Sequence, residues 1–289
     1  MGKNLIDSVK DWLEKSGYPL ELFVAKTLKK LDYFCSKSPL FIDLETKVSR
    51  EIDIVASKFF NNDYGQYLTS KLIIECKKSS YPFVVLCNES VKKTLIENAF
   101  FGNIIVDRDG SFITWVFLIQ LDKHHKINFK SLFPTKTLNL ESRQGYSLVQ
   151  AHTNSDSYIY TELYKLAKAY EYEVQKDLDF YKEMLENEKD KKEAENSYKF
   201  HIPILVIDAP LVETYIDNKG DVIVEEKEIS NVKITLPWRE FYDEGLVILL
   251  VTKQKFADLA QDILVFTKEI VERQRDIQKY LRELEKKES

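Results

Sequence analysis

The sequence predicts an α/β protein: a central mixed β-sheet flanked by helices and followed by a long C-terminal helix. Three observations carry this. Apolar residues recur at threes and fours over Leu20–Leu31 and again between about 155 and 192. Around them stand short apolar runs of strand length, among them KLIIEC, YPFVVLC, HIPILVID and GLVILLV. From about Gln254 to Glu288, apolar residues repeat at sevens.

The first residues, MGKNLIDSVKDWLEKSG, have the pattern of an amphipathic helix with no secretory h-region. Ile6 stands where a myristoylation signal needs Ser or Thr. SGYP breaks the pattern, and a second helix follows with Leu20, Phe23, Val24, Thr27, Leu28 and Leu31 on one face. Three strand-like runs come next, FIDLETKV, EIDIVASKFF and KLIIEC, the last two joined by the polar NNDYGQYLTS as a hairpin loop. YPFVVLC adds a strand, SVKKTLIENAF a short helix, and NIIVDRDGSFITWVFLIQL a hairpin turning at Asp107–Gly110.

Leu163, Leu166, Tyr170, Val174, Leu178, Tyr181 and Leu185 mark the next helix, which ends in the charged, solvated ENEKDKKEAENS. Strands return over HIPILVIDAPLVETYI, GDVIVEEKE, NVKITL and GLVILLV, with a turn at Asn218-Lys219-Gly220. In the last helix Phe256, Ile263, Ile270, Ile277 and Leu284 lie seven apart, with Leu259, Phe266, Arg273 and Tyr280 offset by three. That stripe packs on its own domain or pairs with a second copy or a partner protein.

With 289 residues, 44% hydrophobic, the chain has ample material for a buried core. No apolar run approaches the roughly 18 residues of a membrane span, so no membrane partner is expected. Cys35, Cys76 and Cys87 lack CxxC spacing and only His124-His125 are adjacent histidines, which argues against zinc and disulfides; a reducing cytoplasm is the expected location. Net charge is −5, unevenly spread: residues 1–150 carry 21 Lys/Arg and 17 Asp/Glu, leaving 21 and 30 for the rest. The basic N-terminal half leaves room for a polyanion-binding face. Lys92, Lys93 and Lys130, with the His124-His125 loop, are candidates for phosphate contacts.

KLIIEC turns polar at its end, Glu75-Cys76-Lys77. Strand side chains alternate, so Glu75 and Lys77 share a face and Cys76 takes the other. Asp53 lies in the preceding run, EIDIVAS, and meets Glu75 if the two strands pair antiparallel. Two carboxylates there suit Mg²⁺, a hard cation that keeps several waters. Such an ion lowers the pKa of a bound water and offsets charge on phosphoryl oxygens, and Lys77 would orient that water.

Glu-x-Lys also occurs at Glu45–Lys47, Glu225–Lys227 and Glu285–Lys287. The set at 225–227 is the nearest rival, following an apolar strand with Asp208 upstream, but it sits in a dense charge run typical of an exposed hairpin. Glu75 follows three apolar residues, so its buried charge needs partners. A structural cross-strand ion pair accounts for the same residues without chemistry. Glu51 competes with Asp53, and Lys78 falls on the wrong face.

A helix with Glu21 in LELFVAKTL, a strand, a strand with Asp53 in EIDIVA, then IIECKK with Glu75 and Lys77, resembles the PD-(D/E)xK, or restriction-endonuclease-like, nucleases. The likeness covers about residues 19–87 and, more loosely, the later helix and the ILVIDA strand. It implies a restriction-endonuclease-like core over residues 1–250, with a helical insertion at about 155–199 and a C-terminal helix at 251–289. It also implies that Asp53, Glu75 and the Cys76 carbonyl hold Mg²⁺ or Mn²⁺, that Lys77 serves the water, and that Glu21 assists. Ile52 stands where the family name has Pro. The implied function is hydrolysis of phosphodiesters in DNA, or RNA, in defence against foreign DNA or DNA processing, by an oligomer. The competing class is a nuclease-like module that binds or assembles through its terminal helix.

Overall fold

A computed structural model describes residues 4–61, 67–88, 92–96, 104–106, 112–114, 135–152, 157–187, 197–235 and 245–288. Helix α1 (Leu5–Lys15) starts where the Asn4 side chain accepts the Ile6 amide at 2.9 Å, and it buries none of its residues. Pro19 in the first turn sets α2 (Tyr18–Lys30), which buries Leu20, Val24, Ala25 and Leu28. Strands β1 (Phe34–Lys37), β2 (Leu40–Ile42), β3 (Ser49–Glu51), β4 (Ile54–Asn61) and β5 (Tyr67–Lys78) follow.

The middle of the chain contributes β6 (Phe83–Cys87), β7 (Lys93–Thr94), β8 (Ile104–Val106), β9 (Phe112–Thr114), β10 (Glu141–Ser142) and β11 (Gln144–Gln150). Helix α3 (Ser157–Glu186) leads to β12 (Ser197–Asp208), β13 (Leu211–Ile216), β14 (Val222–Lys227), β15 (Ile229–Ile234) and β16 (Leu246–Thr252), and α4 (Phe256–Glu288) ends the chain. Strands β13 and β14 form a hairpin whose Gly220 has φ +89°, a conformation L-residues rarely adopt. Among the described residues no helix is long and apolar enough to cross a membrane.

One mixed sheet organises the molecule, in the order β1-β4-β5-β12-β16-β15-β11-β6-β13-β14. Strand β4 is antiparallel to β1 and β5, whereas β12 is parallel to both β5 and β16. Strands β8 and β9 pair as the expected hairpin, with β8 beside β12; its turn at Asp107–Gly110 lies outside the described residues. The two helical layers follow from alternation along β5. Leu72, Ile74 and Cys76 face one core with Val24 and Leu28 of α2 and Phe256, Ile263 and Phe266 of α4. Ile73 faces the other core with Leu166, Tyr170 and Val174 of α3. The central strands β12 and β16 are covered on both faces, which explains their unbroken apolar runs.

The helix expected over about 155–192 is α3, which lies in the chain between β11 and β12. In α4 the stripe residues Phe256, Leu259, Ile263, Phe266 and Ile270 are buried in the chain's own core. Ile277, Tyr280 and Leu284 are in the helical continuation, beyond the described side chains. Within the run expected as a short helix, Lys93–Thr94 form β7, paired antiparallel with β10, and Leu95–Ile96 are helical; the rest of the run, Lys92 apart, lies outside the described residues.

Candidate functional site

The two acids singled out on EIDIVAS and KLIIEC lie at the same end of the β4–β5 pair. Asp53 immediately precedes β4, whose Ile54 pairs with Ile74, and its Oδ2 accepts the Cys76 amide at 2.7 Å. Ser38 donates its amide to the Asp53 carbonyl at 2.8 Å, tying the same residue to the end of β1. Asp53 is therefore fixed through backbone and side chain between the edge strand and β5.

Glu75 is 0% exposed. Its Oε1 lies 3.0 Å from Lys77 Nζ and accepts from Lys165 Nζ at 2.7 Å. Its Oε2 is buried with no hydrogen-bond partner among the described residues. Burial, and then the nearby Asp53, push the Glu75 carboxyl up to about 7 against the pull of both lysines. Asp53 is also raised, by burial, with the Cys76 amide opposing. Burial works against the charge on Lys77, but Glu75 and Glu162 beside it hold the ammonium above its ordinary value. Lys77 Nζ is 2.9 Å from Glu162 Oε2, and Lys165 is 3.9 Å from the same oxygen.

Glu21, in the first turn of α2, belongs to this neighbourhood. Its carboxyl is raised by partial burial and then by Asp53 and Glu51, with Lys165 and Lys77 pulling the other way. Cys76 presents its side chain to the α2–α4 core, where burial and the same acids push the thiol well up. Lys78 is exposed and reaches the Glu14 carbonyl of α1, away from Glu75. A cavity of about 110 Å³ opens beside Lys77 and Glu162, lined also by Ser79, Phe83 and Gln150.

Two of the rival tripeptides, and Asp208, are engaged elsewhere; the side chains of Glu285–Lys287 lie outside those described. Asp208 pairs with Lys253 at 3.1 Å, and Glu225 with Lys227 at 2.9 Å and Arg143 at 3.1 Å on the far side of the sheet. Lys92, a candidate for phosphate contact, pairs with Glu225 at 3.3 Å. Glu45 sits in the β2–β3 turn and binds Lys168 at 3.0 Å. His124, His125 and Lys130 lie outside the described residues.

Glu162 and Lys165 escape a reading of the chain by apolar period alone. They flank the buried Leu163 and Leu166, so the helical face that meets the sheet brings them over the end of β5. The signal was a Glu-x-x-Lys pair beside the apolar stripe, on the face nearest the only buried acid of KLIIEC. Farther along α3, Asp177 Oδ2 lies 2.6 Å from Lys71 and 2.7 Å from His201 Nε2, with Lys199 at 2.9 Å from Oδ1. Lys71 is four residues before Glu75 and on the same face of β5. A cavity of about 800 Å³ adjoins this second cluster, with Phe59, Tyr172 and Phe180 in its walls.

Among the described residues no group of three or more His, Cys, Asp or Glu side chains is disposed to hold a metal ion. The set expected here is smaller: two carboxylates and a carbonyl. Its chemistry fits a hard divalent cation, because the buried Glu75 Oε2 has no partner among the described residues and the charges of Asp53 and Glu75 disfavour each other. No family model, curated protein or solved structure matches the chain.

Proposed function

We propose that the chain is a metal-dependent nuclease of the PD-(D/E)xK type, cutting phosphodiester bonds in DNA. One observation carries the reading: the Asp53 carboxylate is hydrogen-bonded to the residue after Glu75, which draws two acids and Lys77 to one strand end. The succession α2, β1, β4, β5, α3, β12, with β12 laid parallel on β5, supports it by supplying the order that the resemblance implies.

Asp53, Glu75 and the Cys76 carbonyl would hold Mg²⁺ or Mn²⁺, as hard oxygen donors do. When bound, the ion makes a water more acidic and offsets charge on the phosphoryl oxygens. Lys77 keeps its proton and donates hydrogen bonds beside Glu75, so it can hold an attacking water and stabilise the hydroxide that water becomes. In hydrolysis that oxygen bonds to phosphorus, one P–O ester bond breaks, and the departing alkoxide takes a proton. Lys165 neutralises Glu75 Oε1 and leaves Oε2 for the ion. Glu21 adds a further carboxylate at the rim.

A second reading draws on the same ion pairs. Lys77, Lys165 and Glu162 partly satisfy Glu75, which is also how a structural network in a non-catalytic module would look. Plasmid nicking in Mg²⁺ decides between them. The nuclease reading expects nicking by the wild type and none by Asp53→Asn or Lys77→Met; equal outcomes for all three leave the structural network standing.

A further inference from the structure

Along α2 and the end of β1 lies a concave surface of about 460 Å³ lined by Lys26, Lys29, Lys30 and Lys37 together with Leu22 and Ala25. All four lysines are exposed, and none forms a salt bridge among the described residues. This sets them apart from Lys71, Lys77, Lys165, Lys168 and Lys199, each of which is committed to a carboxylate. The surface lining contains no acid. Asp32, just past α2, lies 3.8 Å from Lys58.

The position matters as much as the charge. Lys37 pairs with Ile54 across β1 and β4, one residue from Asp53, and the following Ser38 donates to the Asp53 carbonyl. Lys26, Lys29 and Lys30 extend along the helix whose first turn carries Glu21. From Lys26 to Lys30 the helix rises by about 6 Å, and base pairs stack at about 3.4 Å, so the helical lysines span about two steps of a duplex. Four ammoniums in one concavity, with no salt bridge among the described residues and on the helix that carries Glu21 and the strand after it, complement a run of backbone phosphates.

We infer that the α2–β1 surface formed by Lys26, Lys29, Lys30 and Lys37 binds the phosphate backbone of a nucleic-acid duplex and leads it to the Asp53–Glu75 site. The inference rests on the nuclease reading for its destination, but the binding can be measured by itself. Of the lysines expected to contact phosphate, Lys92 is instead held by Glu225 of β14, at the opposite edge of the sheet from β1.

The test uses the full chain carrying Asp53→Asn, in EDTA, with a fluorescently labelled 20-base-pair DNA duplex followed by anisotropy over a salt series. Each lysine–phosphate contact contributes about 0.9 to the slope of log K against log salt. Changing all four lysines to Gln, a comparable helix former, should weaken binding more than about 10-fold and flatten the slope by about 3.6. Lys182→Gln with Lys219→Gln, exposed lysines elsewhere, should leave both unchanged. Wild-type affinity and slope in the four-lysine variant overturn the inference, as does a parent that binds anionic phosphatidylserine vesicles but no duplex. Cleavage assays in Mg²⁺ separate the two claims. Asp53-dependent cutting untouched by the four substitutions rejects this surface alone, whereas lysine-dependent binding without cutting rejects only the nuclease.

Discussion

The Asp53 carboxylate accepts the Cys76 amide at 2.7 Å, so a side chain from the start of one strand fastens the backbone beside Glu75 on the next. Asp53→Asn keeps an acceptor there and should change stability little. Asp53→Ala leaves a buried amide without its partner and should cost about 1–3 kcal/mol in urea unfolding. Both should lower Mg²⁺-dependent cleavage by more than about 100-fold. An Asn variant that cuts at the wild-type rate would remove Asp53 from the chemistry.

Cation binding should register in stability as well as in activity. The repulsion between Asp53 and Glu75, which with burial holds Glu75 near 7, is relieved when a cation joins them. Millimolar Mg²⁺ should raise the thermal midpoint of the wild type relative to EDTA, by mass action on the folded state. Asp53→Asn should abolish that rise. Equal responses in the two proteins would show that any Mg²⁺ effect arises elsewhere.

Lys165 separates a positioning role from bulk charge. It donates to Glu75 Oε1 from α3 and touches Glu162 more distantly. Lys165→Met should reduce cleavage by about 10–100-fold, in kcat more than in KM, with Lys165→Arg recovering part of the loss. Exposed Lys176, near the other end of the same helix, should tolerate Met with no change.

The second cluster on α3 gives a pH signature with a definite sign. His201 is wholly buried, and burial holds its pKa below the ordinary value. The unfolded chain therefore takes up the proton first, and stability should fall as pH drops below about 6.5. Asp177, although buried, is held well below its usual range by His201 and Lys71, so its contribution is present above about 3.9 and is lost in stronger acid. Glu75 has the opposite slope: it is raised, and its penalty grows as pH climbs from about 4.3 toward 7. The difference between wild type and His201→Gln in urea unfolding between pH 7 and 5 isolates the histidine, at up to about 1.4 kcal/mol per pH unit. Parallel curves would contradict this account of His201.

The long terminal helix runs from Phe256 to Glu288. Its first part supplies Phe256, Ile263 and Phe266 to the core, so Phe266→Ala should cost about 3–5 kcal/mol. Removal of residues 274–289 spares those contacts and tests association through the remainder. If that part joins two copies, sedimentation should change from dimer to monomer with folding retained; the same mass before and after would reject the seam.

Most strand runs, their hairpins and the amphipathic helices were legible because period two and period three-to-four burial are written locally in the chain; FIDLETKV, expected as a strand, is instead the end of β2 and a turn in which Asp43 accepts the Glu45 and Thr46 amides. Asp53, Glu75 and Lys77 were legible for the same reason: a charged residue stands out at the end of an apolar strand. Glu162 and Lys165 were not, since their role depends on how α3 crosses the sheet, a tertiary relation that leaves only an ordinary helix-surface pair in the sequence. The sheet order was equally hidden. YPFVVLC follows KLIIEC by a few residues, yet β6 pairs with β11 and β13, far across the sheet from β5. The terminal stripe was readable as either core or seam, and its described residues, Phe256 to Ile270, are core.

The parallel ladder between β5 and β12 runs from Tyr67 opposite Ser197 to Lys78 opposite Asp208. Pairing at such separation closes a very large loop and belongs to the slow end of folding. A chain emerging from the ribosome completes the Glu75 strand long before the strand that walls it in. Whatever chemistry the acids perform, their α3 lysine is made only in the second half of the chain, and β12 is complete only after more than two-thirds of it. Assembly order alone would thus keep a half-built chain inert.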